Sequence, residues 1–190
     1  DAIVAAVAKG VVVVEAAGNG SQNLDDPIYS TGNGGHYPFL AANDSGAIMV
    51  GAGAPPTFPN PRSRLDFSNY GQTVDAQGWG FTVLTAGYGD LYDAEGKNSW
   101  FTANFSGTSS ASPIVAGAAA VIQQAFRQKF TNAAPPALVR QIIRATGTPQ
   151  SGADNIGPFP NLRAAIQAIQ NPVDTDTDGV PDWNDNCPTV

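Results

Sequence analysis

Residues 105–120, FSGTSSASPIVAGAAA, set four serines and a threonine against a run of small apolar residues, with no charged side chain among them. A serine hydroxyl placed at the N-terminus of a helix can attack a carbonyl, because unsatisfied backbone N–H groups and the positive end of the helix dipole favour an anion formed beside it. Ser109 stands where such a helix would begin. Pro113 supports the placement, since the N–H it lacks would have bonded the carbonyl of residue 109, leaving the first turn irregular at Ser109 itself. The plainer reading of a hydroxyl before a helix is an N-cap, and Thr108 or Ser109 alone would be read so.

A second group with matching chemistry lies ninety positions earlier, in VVVVEAAGNG at 11–20. An apolar strand ending at Ala17 and Gly18 presents Asn19 at its tip. When a serine attacks an amide carbonyl the oxygen becomes negative, and donors already aimed at it stabilise that charge. An Asn-Gly pair by itself is more often a turn.

The two segments together resemble the subtilisin-like serine peptidases. GTSSASPIVAGAAA is similar to that family's nucleophile signature, GTSxASP followed by a helix of small residues, and VVVVEAAGNG to its strand-end asparagine motif. DSGAIMVGAG at 44–53, DFSNYGQTVDAQGWG at 66–80, LVRQIIRATGTP at 138–149 and GPFPNL at 157–162 extend the likeness in order over about 170 residues. The resemblance implies that Ser109 is the nucleophile of a peptidase acting on a polypeptide substrate. Asn19 Nδ2 and the Ser109 backbone N–H would be the oxyanion donors, and Ala16, Ala17 and Gly18 part of the wall that receives the residue before the scissile bond. Ser106, Ser110 and Ser112 would be packing or hydrogen-bonding neighbours; Ser110 and Ser112 are turned from Ser109 by about 100° and 300° on a helix of 3.6 residues per turn.

A serine hydroxyl needs a base to take its proton and a carboxylate to orient that base. In the family both motifs precede the asparagine, and neither stands in this chain. The single histidine, His36 in NGGHYP, follows Asn19 and is read as a loop residue. The expectation is half of an active site, with the upstream half of the peptidase domain supplied by a parent protein. An α/β-hydrolase elbow, GxSxG, does not fit, because the fifth position is Ala111 and no histidine follows Ser109. A sedolisin-type peptidase, with an aspartate as oxyanion donor, and a noncatalytic calcium-binding module derived from the same fold are the alternatives.

The tail carries the other constellation. DTDTDGVPDWNDNCP places Asp174, Asp176, Asp178, Asp182 and Asp185 at positions 1, 3, 5, 9 and 12 of a loop, with Gly179 at position 6 for the sharp turn and the Val180 carbonyl at position 7. Such spacing brings six oxygens around calcium, although Asp replaces the usual Glu at position 12. The run is similar to a thrombospondin type 3 repeat, which implies calcium binding, further repeats in the parent and a partner for Cys187 in the next of them. A solvated acidic linker is the ordinary fate of such a charge run. Asp25, Asp26, Asp90 and Asp93 are read as solvated loop carboxylates.

These groups need a scaffold, and the chain alternates as an α/β protein does. DAIVAAVAKG reads as the end of a helix stopped at Gly10, with its start cut or marginal. Val11–Ala17 is read as a strand buried on both faces, Ile48–Ala52 and Val83–Ala86 as further strands, and 18–46 and 54–64 as loops of functional length. Helices are expected over 109–128, 137–145, with Leu138, Ile142 and Ala145 on one face, and 161–169. The small residues Ala111, Ala116, Gly117, Ala118, Ala119 and Ala120 predict that the first of these is central and buried. The predicted fold is a three-layer α/β sandwich with a mostly parallel sheet, subtilisin-like and N-terminally incomplete, over 1–170; residues 171–190 form a linker and calcium loop.

Composition limits the rest. With 9 basic against 16 acidic residues and a net charge of −7, a nucleic-acid backbone would be repelled. No apolar run reaches the length of a membrane span. A calcium loop and a repeat cysteine point to an extracellular or cell-envelope setting.

Overall fold

The computed structural model describes residues 2–29, 43–176 and 181–182. His36, Asp178, Val180, Asp185 and Cys187 lie outside them. A three-stranded parallel sheet forms the centre, built from β1 (Val14–Ala16), β2 (Ile48–Gly53) and β3 (Ala76–Trp79) in that spatial order. Val14 pairs with Ile48, and Val50 with Ala76. A separate antiparallel pair joins β4 (Val83–Ala86) to β5 (Phe101–Phe105), which runs directly into the helix α2 (Thr108–Phe130). Among the described residues three further α-helices stand in chain order: α1 (Ala2–Ala8) at the start, α3 (Pro136–Thr146) and α4 (Leu162–Gln170) after α2.

Side-chain alternation divides the sheet between two cores. Ile48 and Val50 of β2 and Ala76 of β3 meet Ala111, Val115, Ala119, Ile122 and Phe126 of α2, with Val139, Ile142 and Ile143 of α3 and Ile169 of α4 behind them. On the opposite face Leu24, Val74 and Ile156 gather against Met49, Ala17 and Tyr70. Each fully buried aliphatic side chain contributes about 1.5–3 kcal/mol relative to exposure. Helix α2 approaches β3 through Gly78, where an added Cβ would stand 2.3 Å from the Ala111 carbonyl oxygen. Only a residue without a side chain permits that contact.

A buried ion network fastens α3 to this sheet. Asp75, whose side chain is wholly buried just before β3, accepts from Arg140 Nε at 2.7 Å and from the Met49 N–H at 2.9 Å, with Arg144 at 3.5 Å. Arg140 also pairs with Asp44. Burial pushes the Asp75 carboxyl above its ordinary value, against the pull of the Met49 N–H and both guanidiniums. Burial also opposes ionisation of Asp44, but the Gly46 N–H, Arg140 and Arg144 outweigh it and hold this carboxyl below its ordinary value.

The α/β architecture and the three later helices stand where the pattern predicts them, and four details differ. The first strand is shorter than Val11–Ala17 and only half-buried, with Val11 51% exposed, because β1 lies at the edge of the sheet and pairs with β2 alone among the described residues. Val83–Ala86 is a strand, but in the antiparallel pair, so its side chains alternate between half-buried and exposed. Ala145 is exposed, and Val139 and Ile143 complete the buried face of α3 instead. Helix α2 is buried along one stripe only: Ala116, Gly117, Ala120 and Val121 are exposed.

Candidate active site

The turn between β5 and α2 positions Ser109. Gly107 is the N-cap residue, with φ 90 and no side-chain capping bond, so neither Thr108 nor Ser109 fills the capping role open to them from sequence. A positive φ of this size suits glycine, and an added Cβ would also press on the Asn19 side chain, 3.1 Å from Nδ2. The Gly107 N–H donates to the Gly80 carbonyl at 2.9 Å, tying the turn to the end of β3. Ser109 is then the second residue of the helix; its side chain is exposed, and no described residue hydrogen-bonds to it. Of the neighbouring serines, Ser106 is exposed, and the other two are committed elsewhere. Ser110 is buried and bonds the carbonyls of Trp79 and Gly107, both at 2.9 Å, while Ser112 bonds the Thr108 carbonyl at 2.9 Å.

Asn19 meets this turn from the end of β1. Its Oδ1 accepts from the Thr108 backbone N–H at 2.9 Å and from Thr108 Oγ1 at 3.0 Å. With the oxygen fixed twice, Nδ2 is the end of the amide left to donate. Thr108 Oγ1 in turn accepts from the Gly18 N–H at 3.2 Å, so one hydroxyl holds both the asparagine and the peptide that leads into it. Thr108 carries more than the sequence reading gave it, and its place beside the serine in GTS was the available signal.

The wall residues separate. Ala16 is exposed, Ala17 packs into the cluster of Leu24, Val74 and Ile156, and Gly18 is half-buried with φ 95. The Ala17 N–H donates to the Val50 carbonyl at 2.9 Å, extending the strand pairing up to the loop that bears Asn19.

Three of the four loop carboxylates read as solvated accept from protein donors instead, while Asp93 is exposed. Asp25 accepts from the Gln72 N–H, Asp26 from the Ile28 N–H, and Asp90 from Asn104 Nδ2. In the tail, Asp182 accepts from the Thr175 N–H and hydroxyl, both at 2.8 Å, and its own N–H donates to the Val173 carbonyl at 2.9 Å. Among the described residues no group of three His, Cys, Asp or Glu side chains gathers as an ion site. Of the six proposed calcium donors, Asp174, Asp176 and Asp182 are described, and all six are oxygens of the kind calcium takes.

Comparison with known proteins identifies the family. Residues 1–168 match the model of the subtilase family, Peptidase S8. An extracellular protease of Xanthomonas campestris pathovar campestris is 31% identical over 171 residues, covering 90% of this chain and 26% of that protein. An extracellular serine proteinase of a Thermus species is 36% identical over 123 residues, covering 65% of this chain and 24% of that protein. The chain thus spans about a quarter of the length of these relatives. Among solved structures, a protease from Pseudoalteromonas arctica superposes with a TM-score of 0.61 at 27% identity, over 88% of this chain and 45% of that one. A family match over nearly the whole chain, on a parallel sheet that delivers a strand-end asparagine to a GTS helix, has one reading: the chain belongs to the subtilase family.

Proposed function

We propose that this chain carries the nucleophile and the oxyanion donors of a serine endopeptidase. The observation that supports it most is the pair of hydrogen bonds that Thr108, the residue before Ser109, donates to Asn19 Oδ1, which leaves Asn19 Nδ2 as the end of that amide able to donate beside the turn that carries Ser109. In this reading Ser109 Oγ attacks the carbonyl carbon of a peptide while a base removes its proton. The carbonyl oxygen becomes negative and accepts from Asn19 Nδ2 and from the Ser109 backbone N–H at the head of α2. The base returns that proton to the leaving nitrogen as the tetrahedral intermediate collapses, which expels the amine and leaves an acyl group on Ser109; water then attacks the ester as its proton passes to the base, and that proton returns to Ser109 Oγ as the acid departs. Ala16 and the backbone of Ala17 and Gly18 border the residue before the scissile bond.

The base and its orienting carboxylate come, in this proposal, from a segment of a longer protein. No Asp or HGTxxAG motif precedes Asn19 in the chain, and its one histidine follows it. The exposed small-residue face of α2 at Ala116, Gly117 and Ala120 is a surface such a segment would cover. Tested alone, the chain should give no more than trace peptide hydrolysis, and a longer protein that includes it should hydrolyse peptides and lose that activity on Ser109→Ala. Rapid labelling of Ser109 by a fluorophosphonate in the isolated chain would contradict the half-site reading.

The tail is proposed as a calcium loop formed by Asp174, Asp176, Asp178, Val180, Asp182 and Asp185, supported by their spacing around Gly179. Its role is a stiffened spacer toward further repeats, with no part in the chemistry. Calorimetric titration of the chain should show calcium binding; no heat up to millimolar calcium would contradict it. The two relatives named as extracellular proteases, with the calcium loop, favour secretion or attachment at the cell envelope. None of the described helices is long and apolar enough to cross a membrane.

A further inference from the structure

Asn69, in the SNYG segment before β3, makes a set of bonds that no packing role requires. Its Nδ2 donates to the Ala17 carbonyl at 2.7 Å. Its Oδ1 accepts from the Gly20 N–H at 3.0 Å and the Gln22 N–H at 2.9 Å, and its backbone N–H donates to the Gly18 carbonyl at 3.0 Å. All four partners flank Asn19. The peptide unit between Ala17 and Gly18 is held at both ends, its carbonyl by Asn69 and its N–H by the Thr108 hydroxyl at 3.2 Å. The next peptide, between Gly18 and Asn19, has its carbonyl fixed by the Asn69 N–H. The clamp also requires glycine at position 18, where φ is 95 and an added Cβ would stand 2.7 Å from Asn69 Nδ2.

Asn69 is itself anchored. Ser68 is buried, takes the Ala52 N–H at 2.9 Å and gives its hydroxyl to the Asn69 carbonyl at 2.9 Å. The Arg64 guanidinium lies 4.6 Å over the Tyr70 ring and bonds the carbonyls of Leu65, Asp66 and Ser68, with Asp154 on its other side. The segment from Arg64 to Tyr70 is therefore a rigid mount attached to β2, and Asn69 is the point where it meets the loop of Asn19.

We infer that Asn69 is a positioning residue for catalysis, the template that fixes the backbone on either side of Asn19 and so aims its amide at the developing oxyanion. Because a displacement of about 1 Å in a catalytic group can cost on the order of 10²-fold in rate, a clamp on the adjoining peptides sets kcat without touching substrate. The inference rests on the oxyanion role proposed for Asn19, and its consequence is specific. Removing the clamp should do harm only while there is an asparagine to aim.

The test is a double-mutant cycle in a longer, active protein that includes this chain, read by kcat and KM on a peptide substrate, with thermal midpoints as the folding control. Asn69→Ala is expected to lower kcat by about tenfold or more with KM within about twofold of the parent. In the Asn19→Ala background the same substitution should lower kcat by less than about twofold. Where Asn69→Ala does not fold, Asn69→Asp replaces it, keeping the oxygen that accepts from Gly20 and Gln22 and losing the N–H given to Ala17; the same pattern is expected. Multiplicative losses in the two backgrounds, or a loss confined to KM, would overturn the inference. Unchanged turnover in Asn19→Ala and Ser109→Ala would instead overturn the catalytic reading beneath it.

Discussion

Thr108 and Asn19, 89 positions apart in the chain, are joined by two hydrogen bonds, from the Thr108 N–H and from its hydroxyl, to the same amide oxygen. The pairing decides which end of the asparagine is available, because an amide whose oxygen is held twice can only present its nitrogen. It also makes the turn of α2 and the tip of β1 a single unit.

Thr108→Val keeps the shape of that side chain and removes its hydroxyl. Two consequences are expected: the Gly18 N–H loses its acceptor, costing about 1–3 kcal/mol of stability where it is buried from water, and Asn19 is held by one bond instead of two. In an active protein kcat should fall by about tenfold, equivalent to about 1.4 kcal/mol, with Thr108→Ser close to the parent. Steady-state kinetics with a urea midpoint for each variant checks both parts.

Gly78→Ala would force a methyl group to within 2.3 Å of the Ala111 carbonyl, so the helix carrying Ser109 would have to withdraw from β3. A loss of about 1–3 kcal/mol is expected in urea unfolding. In this chain alone, Gly117→Ala on the exposed face of the same helix meets nothing within 4 Å and should gain about 0.5–1 kcal/mol.

Arg140→Met leaves Asp75 buried without its nearest cation, and a loss of about 3–5 kcal/mol is expected near neutral pH. The pH dependence has a definite sign. The folded Asp75 carboxyl already titrates above its unfolded value, and the substitution raises it further, so on acidification the folded state takes up this proton first and recovers stability relative to neutral pH. Asp44 acts the other way in the parent, its contribution being present above the unfolded value and lost as pH falls through its depressed folded value. Without Arg140 that loss is smaller. Both effects narrow the gap between parent and variant as pH falls, which chemical unfolding at pH 4 and pH 7 would detect.

Elements whose pattern is set locally were legible in the sequence, and those set by distant partners were not. Helices α3 and α4 show strong 3.6-residue periodicity, and β2 is a continuous apolar run buried on both faces, so each could be placed within a residue or two. β5 was not found, because FTANF mixes polar and aromatic residues and becomes a strand by pairing with β4. The burial of α2 was overestimated for the same reason: alanine and glycine are compatible with close packing but do not require a partner. Within the site, Ser109 and Asn19 stood out through their motifs. The orienting roles of Asn69 and Thr108 did not, although both lie in quoted motifs, because a residue that orients another is defined by contacts across 52 and 89 positions, which no local spacing records.

The most direct test of the site is the rate at which a fluorophosphonate modifies a longer, active protein that includes this chain, with the adduct located by peptide mapping. The expected result is a single adduct on Ser109, formed about 10²–10³-fold more slowly in Asn19→Leu, a magnitude borrowed from removal of the corresponding donor in subtilisin itself. An adduct on Ser106, Ser110 or Ser112, or a labelling rate unchanged in Asn19→Leu, would contradict the assignment of Ser109 and Asn19 to one reacting carbonyl.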